Sequence, residues 1–234
     1  MQMSTTLVLL PGLDGTDLLF RPFVQALPPG ICPRCIEYPT TGPNDYAALL
    51  PLVLAACEGL HDYFLLGWSF SGPLALMAAA QSPTGLRGVV LCASFTRAPW
   101  PLLRWLKFAA VPPLARLYPL FSWLLAVGSR HETPDLRRDK IASFRRVPAA
   151  VFAARSRAVL GVNVRNELRR CPVRLLYLAG SFDVVVPRWN AAGVKADLPS
   201  ADVVTIAGPH LALRTNPVAA AGAVAAFIAA DGSA

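Results

Sequence analysis

The chain has 234 residues, 54% of them hydrophobic, which suits one α/β domain with a well-filled core. Its formal net charge of +8 is unevenly spread: residues 97–174 carry 16 Lys or Arg against 4 Asp or Glu, and the rest carry 6 against 10. A membrane span is not expected, because the longest uncharged stretch, Tyr63 to Leu86, is broken by Gly67, Gly72, Pro73 and Pro83, and the apolar tail after Val218 is too short.

At the start, Met1 to Thr6 lacks a basic cluster and Leu7 to Leu10 is shorter than a secretory apolar region, which places the protein in the cytoplasm. Thr5 to Leu10 is a continuously apolar run closed by Pro11-Gly12, the pattern of a strand buried on both faces. Ile31 to Tyr38 reads as a second strand, made irregular by Pro33. Its Cys32-x-x-Cys35 has neither the second ligand pair of a zinc site nor the following helix of a redox motif, so no role is assigned to it. Next come a helix over Tyr46 to Gly59, a strand over Tyr63 to Gly67, a helix over Ser71 to Gln81 and a strand over Leu86 to Cys92. Late in the chain, Val173 to Ala179 and Asp202 to Ala207 read as strands, and Asn190 to Leu198 and Pro217 to Ala230 as helices. This alternation predicts a parallel sheet with helices on both faces.

Between Arg97 and Arg170 the alternation lapses. Aromatic residues interleave with arginines there, and repeated prolines cut the segment into short helical pieces. The expectation is a core formed by residues 1–96 and 171–234, with a helical cap at 97–170 inserted into it. The apolar side chains of the cap would face an acyl pocket, with Trp68, Trp105, Phe121 and Trp123 as candidate walls and the arginines outside.

The chemistry-bearing signal is Gly67-Trp68-Ser69-Phe70-Ser71-Gly72, set between an apolar strand and an apolar helix. A serine on so tight a turn is lifted clear of the sheet at a helix N-terminus, where the Phe70 N–H can meet developing negative charge. A serine hydroxyl needs a base. Of the three histidines, His61 precedes a strand and belongs at the far end of the sheet, and His131 sits in the basic insert. His210 directly follows the last strand, so it opens at the same sheet edge as Ser69. Asp183 leaves the next-to-last strand at that edge, whereas the loop after Cys92 offers no acid; Asp183 is therefore the candidate for orienting the imidazole. The Pro11-Gly12-Leu13-Asp14-Gly15 turn supplies the Leu13 N–H as a second oxyanion donor. No metal or cofactor is assigned, since His131-Glu132 lacks a partner histidine.

Taken in this order, the Pro11-Gly12 turn, the Gly67 to Gly72 elbow, the Gly180 to Pro187 loop and Gly208-Pro209-His210 resemble the α/β-hydrolase superfamily. The likeness is greatest to its compact bacterial serine esterases of the pimeloyl-carrier methyl ester type. The resemblance implies a three-layer α/β-hydrolase fold in which the first two family strands are missing, leaving about six parallel strands and a helical cap. It also implies a carboxylesterase acting on short to medium acyl esters, with an acidic acyl carrier protein as a partner for the basic segment and anionic lipid as a second option. The abundance of Arg over Lys is equally accounted for by base composition. An acyltransferase with the same three residues and a catalytically silent ligand-binding or docking module are the alternatives. Nucleic-acid binding has the charge but no motif. Two departures from the family pattern stand out: Pro11 replaces the usual histidine before the oxyanion-loop glycine, and Ser71 replaces the second glycine of the elbow, which predicts slightly wider helix packing.

Overall fold

The computed structural model describes residues 5–108, 110–115 and 133–231. Six strands form one sheet in which every pairing is parallel: β1 (Thr5–Leu10), β2 (Ile31–Cys35), β3 (Tyr63–Trp68), β4 (Leu86–Cys92), β5 (Arg174–Gly180) and β6 (Asp202–Ile206), in the order β2-β1-β3-β4-β5-β6. The described helices are α1 (Arg21–Ala26), α2 (Tyr46–Cys57), α3 (Gly72–Ala79), α4 (Pro112–Ala115), α5 (Pro134–Arg145), α6 (Ala149–Gly161), α7 (Arg165–Arg169), α8 (Trp189–Asp197), α9 (Ala212–Thr215) and α10 (Pro217–Ala229).

The period-2 alternation of strands divides the core in two. Val8, Leu10, Leu65, Val89, Leu91, Leu175 and Tyr177 face one layer, where Leu49 and Val53 of α2, Leu74 and Ala75 of α3, Leu168 of α7 and Val194 of α8 cover them. Leu7, Leu9, Phe64, Leu66, Val90, Leu176 and Leu178 face the other, against Phe23 of α1, Leu213 of α9, and Ala220, Val224 and Phe227 of α10. A strand with apolar residues on both faces needs two helical layers, so the continuous apolar runs of β1 and β3 require this three-layer arrangement. Pro33 sits in β2, the outermost strand, where the missing donor costs no internal ladder bond. The early helix α1 and the one-turn helix α9 are absent from the sequence expectation, being too short to show a helical period. Among the described residues no helix is long and apolar enough to cross a membrane.

Strand order places the site. After β1 the chain moves outward to β2, then crosses back over β1 to β3 and proceeds to β4, so the direction of winding reverses between β1 and β3. At such a switch point the loops leaving the two strands diverge and open a crevice at the carboxyl edge of the sheet. The two loops here are Pro11–Gly15 and the turn that begins at Ser69. The excursion between β4 and β5 leaves and returns at one place: Arg97 and Asn163 form an antiparallel bridge, and the Val164 N–H donates to the Thr96 carbonyl at 2.7 Å. Helix α7 follows that closure and packs against α3 and α8 in the body of the molecule.

Candidate active site

Ser69 stands immediately after β3 with φ 51°, one of three described non-glycine residues in the left-handed region. A non-glycine residue held there costs about 1–3 kcal/mol, so its surroundings must fix it. The Ser69 carbonyl accepts from Ser94 Oγ at 2.6 Å, and the Ser94 carbonyl in turn accepts from Tyr177 Oη at 2.6 Å. On the next residue, the Phe70 carbonyl accepts from Tyr46 Oη at 2.9 Å, and the Phe70 ring stacks on that of Tyr46 with centroids 4.9 Å apart. The crossing of elbow and strand demands two glycines: a Cβ on Gly67 would lie 2.5 Å from the Ser71 carbonyl and 2.8 Å from Gly72 Cα, and one on Gly72 would overlap Ser94 Oγ. Ser71 is wholly buried and points toward the oxyanion loop, where its hydroxyl donates to the Pro11 carbonyl and pairs with Tyr38 Oη at 2.6 Å. The Ser71 side chain thus fills a polar socket beside the oxyanion loop.

Ser69 Oγ lies 2.8 Å from His210 Nε2, and His210 Nδ1 lies 2.8 Å from Asp183 Oδ2. The second Asp183 oxygen accepts the backbone N–H groups of Val185 at 2.9 Å and Val186 at 2.7 Å, which fixes the carboxylate plane. Asp183 thus serves a turn of its own loop as well as the imidazole; the helix beyond it, α8, begins only at Trp189. The two loops that carry acid and imidazole are laced together. Ser181 N–H donates to the Ile206 carbonyl, Phe182 N–H to the Gly208 carbonyl, and Gly208 N–H to Ser181 Oγ. A hydroxyl, an imidazole and a buried carboxylate in this sequence of contacts can pass a proton from oxygen to nitrogen while keeping the imidazole tautomer fixed. His61 lies before β3 and is exposed, and His131 falls outside the described residues.

The Leu13 N–H makes no hydrogen bond among the described residues. Its neighbour Asp14 is buried and accepts from Thr16 Oγ1 at 2.5 Å; burial raises its carboxyl pKa. Of the pocket candidates, Trp68 is buried on the α1 side of the sheet, where its ring meets Phe20 at 5.1 Å. Trp105 is 64% exposed on a 3-10 turn, Pro101–Phe108, that buries none of its side chains, so its position gives no support to the role of an apolar wall. Phe121 and Trp123 lie outside the described residues. The expectation that the insert's arginines all point outward fails at Arg155, which is completely buried. Sequence reasoning passed over Arg155, Asn44, Tyr38 and Ser94. Only Arg155 carried a signal: within α6 it shares one helical face with Val151, Phe152, Ala158 and Val159, where a solvated arginine is out of place. Among the described residues no cluster of His, Cys, Asp or Glu could hold a metal ion.

Comparison with known proteins agrees with this architecture. A pimeloyl-acyl-carrier protein methyl ester esterase of Xanthomonas campestris is 31% identical over 220 residues, covering 86% of each chain. The polyketide synthase ThaQ of Burkholderia thailandensis is 29% identical over 240 residues, covering 94% of this chain; the match spans 12% of the synthase's length. Among solved structures, an esterase from Exiguobacterium antarcticum superposes with a TM-score of 0.82 at 16% identity, over 97% of this chain and 93% of that one, a likeness of fold. A family match described as the alpha/beta hydrolase family extends over residues 7–223, and the chain belongs to that family.

Proposed function

We propose that the protein is a serine carboxylesterase that hydrolyses short to medium acyl esters through an acyl-enzyme on Ser69. The observation that carries this reading is the pair of 2.8 Å contacts linking Ser69 Oγ, His210 and Asp183. Ser69 Oγ attacks the ester carbonyl carbon while its proton passes to His210 Nε2. Asp183 holds the Nδ1–H and stabilises the imidazolium. The carbonyl oxygen, now negative, accepts from the N–H groups of Leu13 and Phe70. Collapse breaks the bond to the alcohol oxygen, which takes the proton from Nε2. Water, deprotonated by the same nitrogen, then attacks the acyl carbon; the bond to Ser69 Oγ breaks as Nε2 returns that proton to it, releasing the acid and restoring the serine.

The inserted segment, expected over residues 97–170, acts in this reading as a cap over the sheet edge; the bridge between Arg97 and Asn163 supports an excursion that ends before α7, which packs in the body. The partner is an acidic acyl carrier protein. Support comes from the exposed Arg137, Arg138 and Arg145 that share a groove with Ile141 on α5, and from the similarity to the Xanthomonas pimeloyl-acyl-carrier protein methyl ester esterase.

The test is to label the protein with a fluorophosphonate, map the adduct, and assay p-nitrophenyl esters of graded chain length on wild type and Ser69→Ala. The expected result is a single adduct on Ser69 and a loss of kcat on the order of 10⁴-fold or more in the variant. Labelling elsewhere, or full turnover by Ser69→Ala, would refute the assignment.

A further inference from the structure

Arg155 is carried by α6, inside the most basic stretch of the chain, yet it is 0% exposed. Its donors are distributed over three separate acceptors: Nη1 to the Leu13 carbonyl at 2.9 Å, Nη2 to the Pro39 carbonyl at 3.1 Å, and Nε and Nη2 to Asn44 Oδ1 at 3.0 and 2.8 Å. The guanidinium also lies over the Tyr38 ring, 5.5 Å from its centroid. None of these hydrogen bonds goes to a carboxylate, and burial draws the guanidinium pKa down to about 10. The buried Asp14 carboxyl is close enough to act on it electrostatically, but the donors themselves are all spent on neutral acceptors, which gives the guanidinium a geometric role beside any electrostatic one.

That role lies in the loop it touches. Three consecutive carbonyls of the Pro11–Leu13 segment are each held: Pro11 by Ser71 Oγ, Gly12 by the Gly15 N–H at 3.0 Å, and Leu13 by Arg155. The middle peptide, whose carbonyl is that of Gly12, is the one that carries the Leu13 N–H. With its carbonyl tied into the turn and the peptides on either side pinned, that N–H has one orientation left, because a trans peptide sets its N–H opposite its carbonyl. Gly15 completes the fit, since a Cβ there would lie 2.8 Å from Arg155 Nη2 and 2.9 Å from Cζ.

We infer that Arg155 is a positioning residue for the hydrolytic reaction: from the inserted segment, it fixes the oxyanion loop so that the Leu13 N–H is aimed before substrate arrives. The inference rests on the proposed role of Leu13 as an oxyanion donor. Lysine cannot replace it, because a single ammonium does not reproduce a planar fork that serves three acceptors at once.

The experiment compares wild type, Ser69→Ala, Arg155→Lys and Asn44→Ala by p-nitrophenyl ester kinetics, by inhibition with a trifluoromethyl ketone whose adduct bears an oxyanion, and by thermal unfolding. Arg155→Lys is expected to remain folded, with KM within about threefold of wild type, kcat lowered roughly 10- to 1000-fold, and ketone affinity weakened in proportion to kcat/KM. Asn44→Ala is expected to move both quantities the same way by a smaller factor. A folded Arg155→Lys with kcat and ketone affinity both unchanged overturns the inference, as does a rise in KM alone, which would make Arg155 part of the acyl-binding wall. Should Arg155→Lys fail to fold, Asn44→Ala decides by the same two readings. Full turnover by Ser69→Ala would instead bring down the esterase reading, and the positioning role with it, independently of any Arg155 variant.

Discussion

The Ser71 hydroxyl donates to the Pro11 carbonyl, so the 2.6 Å contact with Tyr38 must be one in which the tyrosine donates. Both groups are buried, and Tyr38 packs edge-on against Phe70. Restoring the family glycine with Ser71→Gly would leave the Tyr38 hydroxyl and the Pro11 carbonyl unpaired in the core, at a cost of about 1–3 kcal/mol. Urea unfolding should show a lower midpoint with an unchanged slope, and Ser71→Gly with Tyr38→Phe should recover part of the loss, because the stranded hydroxyl is then gone. Seen at this scale, the sequence made some residues readable and hid others. The meeting of Ser69, His210 and Asp183 follows from chain order and from parallel strands sharing one carboxyl edge, so local motifs were enough. The Ser71 and Arg155 contacts join residues 60 and 142 positions apart, and no local pattern announces either.

At the scale of elements, α7 and α8 are stapled by a three-part ion cluster. Asp197 receives Arg165 Nε at 2.5 Å, Arg165 Nη2 at 2.7 Å and Arg169 Nη2 at 2.7 Å. The Arg165 hydrogen bond is the main cause that draws the Asp197 carboxyl down to about 2. A carboxyl depressed by folding contributes stability that is complete above its unfolded pKa of about 3.9 and fades as pH falls through the folded value. Asp197→Asn should therefore lower stability by about 1–2 kcal/mol at pH 7, read as a fall in Tm of roughly 2–8 °C. The gap between wild type and variant should hold down to about pH 4 and narrow toward pH 2. The long elements of the core were legible, and the ends of β1 and β4 agree with the pattern-based reading, whereas the insert, expected as short helical pieces, holds α5 and α6 of 12 and 13 residues. Short ones were not: α1 has six residues and α9 four, and their burial against α10 comes from tertiary contact rather than from any repeat.

For the whole molecule, the separation of charge is the feature with the widest reach. If the basic segment receives an acidic acyl carrier protein, hydrolysis of a carrier-linked ester should lose kcat/KM by about tenfold or more between low and high salt, because exposed arginines are screened within about 10 Å at 0.1 M. Hydrolysis of a p-nitrophenyl ester should be unmoved over the same range, and parallel responses of the two substrates would remove the carrier. The layered sheet was legible because continuous apolar strands leave few other architectures open. The path of the insert was not, since its anchoring depends on contacts between residues distant in sequence, such as Arg155 with Leu13 and Asn44 and Arg214 of α9 with Asp139 of α5 at 2.8 Å. The reach of Arg155 limits what protein engineers can do with the excursion. Its two ends meet at Arg97 and Asn163, which invites exchange with the corresponding segment of a relative. A chimaera built that way would bring new walls to the crevice but, without a fork at the equivalent of position 155, would leave an unplugged hole facing Leu13, Pro39 and Asn44.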